Sequence, residues 1–308
     1  MNARARCLQR AFATEMTTRR DFLARSGTVA LALSPLARFH IARFAPTTLR
    51  LVFFDEGSVD ARDGFTLGVD EARHAAELFG GAVEPSTVSS PSALAAELRR
   101  TRAAAVLGGR SLDVATALAR DASMAGIIYM NTLVTADALR SRCDAIAFHV
   151  APSDAMLRGA RTLAHAPDAA NAVAWDPSLV RFGADTLNNR FRARFGRPMT
   201  ADAWTNWFAV KTLWESTLRI HAADGHSLAA HLADDATQFD GHKGRPLSFR
   251  AWDHQLRQPV YVRVSAGRPL VEEPAQGADE DPRASLDHIG GDARSSTCRA
   301  AQPARSGS

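Results

Sequence analysis

The sequence has little with which to cross a membrane, hold a metal or carry out catalysis. Its N-terminal apolar run, residues 27–33 (GTVALAL), is far shorter than the about twenty residues a permanent transmembrane helix needs. Only three cysteines occur, Cys7, Cys143 and Cys298. Their spacing matches no metal-ligand pattern, and no structural disulfide is expected. Cys143, alone in the apolar body, reads as an unreactive thiol. There is no G-x-S-x-G elbow, H-E-x-x-H helix, G-x-x-x-x-G-K-[ST] loop or G-x-G-x-x-G turn. His221, His226 and His231 recur every five residues, a spacing that does not align them on one helical face. Asp55 and Glu56 are adjacent, so their carboxylates diverge into a solvated loop. A catalytic site, a metal and a cofactor are therefore not expected, and the chain is not read as an enzyme.

What is present is a foldable body behind a basic leader. Apolar residues make up 46% of 308, enough to bury a sizeable core. The pI near 9.4 invites a nucleic-acid reading, but the charge is misplaced for it. Residues 1–44 carry eight arginines against Glu15 and Asp21, a net of +6. The whole chain carries +4, which leaves −2 for residues 45–308. The body offers no electrostatic footprint for a phosphate backbone, and no nucleic-acid partner is expected.

Within the leader, Arg19 and Arg20 are followed by Asp21, Phe22 and Leu23 and then by the apolar run. Paired arginines before a short apolar stretch are the layout of a bacterial export signal, of twin-arginine type. Residues 1–40 are assigned to it, with cleavage expected after about Ala37 and Met16 an alternative start to Met1. The expected location is the periplasm, with no membrane span in the mature chain. No cysteine follows the apolar run to carry a lipid.

From residue 49 short apolar runs alternate with helical periodicity. Residues 49–54 (LRLVFF) predict a strand, and 62–80 an amphipathic helix with Phe65, Val69, Ala72, Ala76 and Phe79 on one stripe. A strand is expected at 82–84, and a helix at 91–100 with Ser90 as cap and Pro91 in its first turn. Strands then follow at 103–107, 126–130 and 145–150, and helices at 111–120, 136–141 and 153–164. This alternation predicts an α/β fold with a doubly wound parallel sheet. After a small polar linker at 165–171 the pattern turns helical, at 177–195, 201–220 and 227–233. The helix at 201–220 is apolar around most of its circumference, with Trp204, Trp207, Phe208 and Trp214, and predicts a buried element. Residues 247–250 and 260–264, with Leu270 and Val271 beyond a turn at Gly267, predict an antiparallel end-piece. The body is bounded at 45–272, and the polar tail 273–308 is expected to be disordered.

Several of these segments resemble the branched-chain-amino-acid-type substrate-binding proteins of ABC importers, the type I periplasmic binding proteins. The helix segment Phe65-Thr66-Leu67-Gly68-Val69-Asp70-Glu71-Ala72 is similar to that family's first helix. Ala104-Ala105-Val106-Leu107-Gly108-Gly109 and Ile127-Ile128-Tyr129-Met130-Asn131-Thr132 are similar to two of its strands with their ligand-side turns. The run at 239–250 (FDGHKGRPLSFR), continuing through Trp252 and Asp253 to Gln255-Leu256-Arg257-Gln258-Pro259, is the most specific. With Phe148-His149-Val150-Ala151-Pro152-Ser153 it resembles the subfamily associated with quinoprotein, PQQ-dependent alcohol oxidation systems. The resemblance covers about residues 49–164 and 172–264. It implies a second α/β lobe after Pro152, yet only the linker at 165–171 stands there. A lobe of typical domain size, on the order of 100 residues, is missing.

The resemblance implies a periplasmic solute-binding-like protein of an ABC import system, with a small-molecule ligand and an ABC transporter permease as partners. In a parallel sheet, ligands sit beyond the carboxyl ends of the strands. The ligand-side residues are then Gly109, Ser111, Asn131 and Thr132, which supply hydroxyl, amide and backbone donors. Each also has an ordinary structural use, as helix cap or turn former. Two other readings stay open. One is an interaction protein or decaying remnant of such a binder, which would show an apolar patch where the second lobe once packed. The other is an exported enzyme whose site carries no recognisable motif.

Overall fold

The side chains of strand β1 (Thr48–Phe54) alternate between two buried faces, and that sets the layering of the molecule. Leu49, Leu51 and Phe53 enter one core, whereas Val52 and Phe54 enter another. The computed structural model describes residues 47–298 apart from 145, 266, 276, 278–280, 292, 295 and 297. The export signal, with Arg19, Arg20, Phe22 and Leu23, lies outside the described residues.

Four further strands join β1: β2 (Ala82–Val88), β3 (Ala105–Gly108), β4 (Ile128–Asn131) and β5 (Ala147–His149). They pair in the order β2-β1-β3-β4-β5, parallel throughout. Helices α1 (Val59–Phe79), α2 (Pro91–Arg100), α3 (Leu112–Ala125), α4 (Asp137–Arg140) and α5 (Asp154–Leu163) alternate with them. The helical half of the body contributes α6 (Ala184–Phe195), α7 (Ala201–Ile220) and α8 (Gly225–Leu232). Residues of α1, α7 and α8 fill the core on one face, and α2 and α3 fill the other. The sheet is thus doubly wound, as the alternation predicts.

Helix α7 is buried through nearly its whole length, including Trp204, Trp207 and Phe208. Trp204 stacks on Phe208 at 4.9 Å and on Trp175 at 5.8 Å. Each such ring removed from water contributes about 1.5–3 kcal/mol. Two glycines of α1 allow α7 this close. A Cβ on Gly64 would stand 2.0 Å from the Ala203 carbonyl oxygen, and one on Gly68 would stand 2.8 Å from Val210 Cβ.

Two small antiparallel sheets complete the body. One joins β6 (Asn171–Val173), β10 (Val260–Arg263) and β11 (Val271–Glu273), and the other joins β7 (Phe239–Asp240), β8 (Pro246–Phe249) and β9 (Leu256–Arg257). Among the described residues there is no second parallel sheet. Strand β6 starts at the last residue of the expected linker and runs to Val173, where no element is expected. The helix expected from 177 begins only at Ala184, because Asp176 closes a turn onto Ser178 and both Phe182 and Gly183 are left-handed.

Two expectations about the C-terminus are corrected. Cys143 and Cys298 form a disulfide across 155 residues, although no structural disulfide is expected from their spacing. Order also extends past residue 272: β11 reaches Glu273, and Pro282–Leu286 forms helix α9. Leu286 and Ile289 are fully buried, and Asp287 pairs with Arg250 at 2.8 Å and Arg257 at 3.0 Å. The physical reason is that three anchors, two apolar side chains and one cysteine, suffice to pin a segment whose average composition is polar.

Candidate functional site

The carboxyl ends of β1, β3 and β4 form one rim of the parallel sheet. Beyond β1, Asp55 accepts from Gly57 N at 2.8 Å and pairs with Arg62, and Ser58 caps α1 by accepting from Ala61 N. Beyond β3 the chain turns through Gly108 and Gly109, with φ of +117° and +88°. A Cβ on Gly108 would stand 2.4 Å from the Phe54 carbonyl oxygen, so this turn must lie against β1 as bare backbone. The backbone N–H of Arg110 donates to the Glu56 carboxylate, which ties the two loops together.

The four residues expected to contact ligand are distributed unevenly. Ser111 is exposed and caps α3, its Oγ accepting from Val114 N at 3.2 Å. That leaves its hydroxyl hydrogen for a further acceptor. Gly109 is buried and packs against Ala115 and Leu118. Asn131 is fully buried: its amide donates to the Val134 carbonyl at 2.8 Å and its oxygen accepts from Val134 N at 2.9 Å. Thr132 is buried as well and donates to Asn206 Oδ1 at 2.9 Å, while Asn206 in turn donates to the Asp202 carbonyl. Both side chains are therefore engaged in holding the β4 turn and α7 together.

Charged groups gather at the same rim, and sequence reasoning passed over them. Arg197 bridges Asp60 and Asp63, and Asp202 lies close to Asp60 and Arg110. Burial, with Asp60 beside it, pushes the Asp202 carboxyl above the usual range, while Arg110 pulls it back. These residues come from α1, the β3 turn, the loop between α6 and α7, and the start of α7. Only the close packing of α1 on α7 assembles them, so no local motif announces them.

The exposed edge of β5 is sealed by the C-terminal run that carries the most specific resemblance. Gln255 donates through Nε2 to the carbonyls of His149 and Ala151, each at 3.0 Å, and Gln258 donates to that of Val150. Arg140 is buried among the Val134, Ala136 and Ala151 carbonyls and Gln255 Oε1, and burial lowers its guanidinium to about 10. His149 lies inside this network beside Asn131. Burial, then the nearby charge of Arg140, holds its imidazole well below the ordinary value and keeps it neutral. Lys243 is fully buried, donates to Gln258 and Pro259, and stands 3.9 Å over the Trp204 ring. The polar residues of this run thus serve as internal ties. Among the described residues, no group of three or more histidine, cysteine or acidic side chains is placed to hold a metal. No described helix is long and apolar enough to cross a membrane.

No family model matches the sequence, and no curated protein does. Solved structures do match. The branched-chain amino acid transporter substrate-binding protein LivJ of Streptococcus pneumoniae, in complex with isoleucine, is 14% identical, with 74% of this chain and 100% of that one covered at a TM-score of 0.59. An ABC-type branched-chain amino acid transporter protein of Rhodopseudomonas palustris is 13% identical over 79% and 98% of the two chains, with a TM-score of 0.63. A solute-binding protein of R. palustris in complex with benzoate is 13% identical over 74% and 96%, with a TM-score of 0.57. At these identities the likeness is one of fold, and the fold is that of the type I periplasmic binding proteins.

Proposed function

We propose that this chain is an exported, non-enzymatic solute-binding protein of an ABC import system, reduced to one lobe and presenting its ligand to a permease partner. The observation that carries the reading is the fold: a body built on the parallel sheet β2-β1-β3-β4-β5 is similar to substrate-binding proteins over about three quarters of the chain. Among the described residues there is a single parallel sheet, which supports the one-lobe part of the reading. The association with quinoprotein alcohol oxidation rests on the resemblance of the run at 239–259.

The ligand in this reading is a small organic acid or amino acid, in keeping with the isoleucine and benzoate complexes of the similar proteins. Its carboxylate would meet the exposed start of α3, where Ser111 offers a hydroxyl and Arg110 a cation. Gly109, Asn131 and Thr132 would shape the turns beneath it. Two-lobed binders trap ligand by closing one lobe on the other. A single lobe leaves the ligand wet, so affinity in the millimolar range, about −4 kcal/mol, is expected.

Calorimetric titration with leucine and benzoate tests the site. Ser111→Ala with Arg110→Ala should weaken binding about tenfold or more, since two bonds of about 0.5–1.5 kcal/mol each, one charge-assisted, are lost. Affinity indifferent to both substitutions would place binding elsewhere. For export, Arg19→Lys with Arg20→Lys should strand the precursor in the cytoplasm, and unchanged export would remove the twin-arginine assignment. The second reading, a remnant that contacts a protein instead, gains from the engagement of Asn131 and Thr132 in internal bonds. It becomes the better one if neither ligand shifts the melting temperature.

A further inference from the structure

A concavity lies away from the sheet rim, between the loop preceding α6 and the β10–β11 hairpin. It has a volume of about 560 Å³, within the usual range for small-molecule sites. Val180 and Phe182 line it and are among the few large apolar side chains left exposed in the body, at 68% and 47%. Phe182 holds a left-handed backbone, φ +57°, which a bulky side chain rarely adopts. His242 Nδ1 meets its carbonyl at 3.3 Å, and Gly244 leaves room for its ring. Structure elsewhere therefore over-determines this strained and exposed ledge, a pattern that recurs at ligand sites.

The polar lining is arranged asymmetrically. Glu272 and Tyr261 face each other across the β10–β11 pair, and both line the cavity. Glu272 Oε1 is buried with no hydrogen-bond partner. A buried acceptor left unsatisfied has lost its water without a replacement donor, which a ligand donor could supply. Arg263 is answered by Asp176 at 3.0 Å. Arg181 makes no ion pair among the described residues; its guanidinium lies 4.7 Å over the Phe182 ring and within electrostatic reach of Glu272. Arg268 is exposed at the mouth. The cavity thus combines an apolar ledge, two arginines that make no ion pair among the described residues and one buried acceptor lacking a donor.

We propose that this cavity is a binding site for a small organic anion with an aromatic or branched apolar body and a hydroxyl next to its carboxylate, a 2-hydroxy acid. Its carboxylate pairs with Arg181 and Arg268, its body lies along Val180, Phe182 and Leu270, and its hydroxyl donates to Glu272 Oε1. The site is separate from the rim at Ser111 and does not depend on the solute-import reading.

The probes are phenyllactate, hydrocinnamate (the same acid without the hydroxyl) and phenethyl alcohol, each titrated calorimetrically into the full chain. Phenyllactate should bind saturably below about 20 mM, and each of the other two about fivefold more weakly, the equivalent of one lost hydrogen bond or ion pair. Glu272→Leu should abolish the preference for phenyllactate over hydrocinnamate. Arg181→Ala should weaken both acids about fivefold and leave phenethyl alcohol unchanged. Circular dichroism confirms that each variant is folded, and Arg181 is exposed enough that its replacement should not disturb the fold. Absence of saturable binding overturns the proposal, as does binding indifferent to both substitutions. Phenyllactate binding that is lost in Ser111→Ala instead would also overturn it, while supporting the rim as the ligand site.

Discussion

The disulfide between Cys143 and Cys298 makes the strongest quantitative demand on the molecule. It closes a loop of 155 residues, tying a tail anchor to the turn before β5. On the chain-entropy account, a loop of that size restricts the unfolded ensemble by about 5 kcal/mol. Measured contributions usually fall at about 2–4 kcal/mol, because the unfolded chain keeps residual structure. For a body of some 250 ordered residues, each 1 kcal/mol moves the melting temperature by about 2–4 °C. Cys143→Ser with Cys298→Ser should therefore melt about 10 °C lower than the oxidised protein. The loss should also be local. Ile289 and the Asp287 pairs with Arg250 and Arg257 anchor the start of this tail, so without the bridge the chain near Cys298 should become the first site of limited proteolysis. Scanning calorimetry with and without reductant reads the first effect, and mapping of the earliest cleavage reads the second. Thiol titration of the folded mature protein that finds both cysteines free would refute the pairing. A double serine variant with an unchanged melting temperature would refute the energetic argument.

Three further outcomes follow from the packing. Asn131→Ala should cost about 1–3 kcal/mol in urea denaturation by stranding the buried Val134 N, whose carbonyl keeps its bond from Arg140, whereas Ser111→Ala should cost about 1 kcal/mol, the value of a lost cap. Gly64→Ala should destabilise by about 1–3 kcal/mol despite alanine's better helix propensity, and by more than Gly68→Ala, because the atom in its way is backbone rather than side chain. His149, held neutral by burial, binds a proton in the unfolded chain below about pH 6.5 but not in the fold, so stability should fall as pH drops through that window. The loss between pH 7 and 5.5 should be about 1 kcal/mol smaller in His149→Gln, measured by denaturation at each pH.

What could be read from the sequence divides along a physical line. Strands β1, β3 and β4 are buried on both faces, so each appears as a mainly apolar run, in β1 interrupted only by Arg50, and the helices that cover them show a stripe at helical period. Helix α7 was legible for the same reason, its apolar residues facing every direction. Strand β6 was not: its residues are half-buried or exposed and it is only three long, so its pairing with β10 is settled by tertiary contact. The tail escaped because composition averages over a window, whereas Leu286, Ile289 and Cys298 act as single anchors.

The site is where sequence reasoning is least able to discriminate, and Asn131 shows why. A polar side chain just beyond a parallel strand is what a ligand site requires, and it is equally what a buried turn requires. Residue type and position are identical in the two cases. Only the partners decide, and here Asn131 spends both its oxygen and its amide on Val134, as Thr132 spends its hydroxyl on Asn206. The residues that remain available at the rim, Ser111 and Arg110, are exposed and belong to the start of α3. The same logic applies to the run at 239–259. Lys243, Arg245, Arg250 and Arg257 would suggest an anion site in a linear reading, but all four are buried and bonded to carbonyls, amides or carboxylates of the body. The strongest sequence resemblance in the chain therefore marks how the last sheet strand is closed off. It carries no information about a solute, and the two proposed ligand sites lie elsewhere, at the exposed start of α3 and in the cavity lined by Glu272.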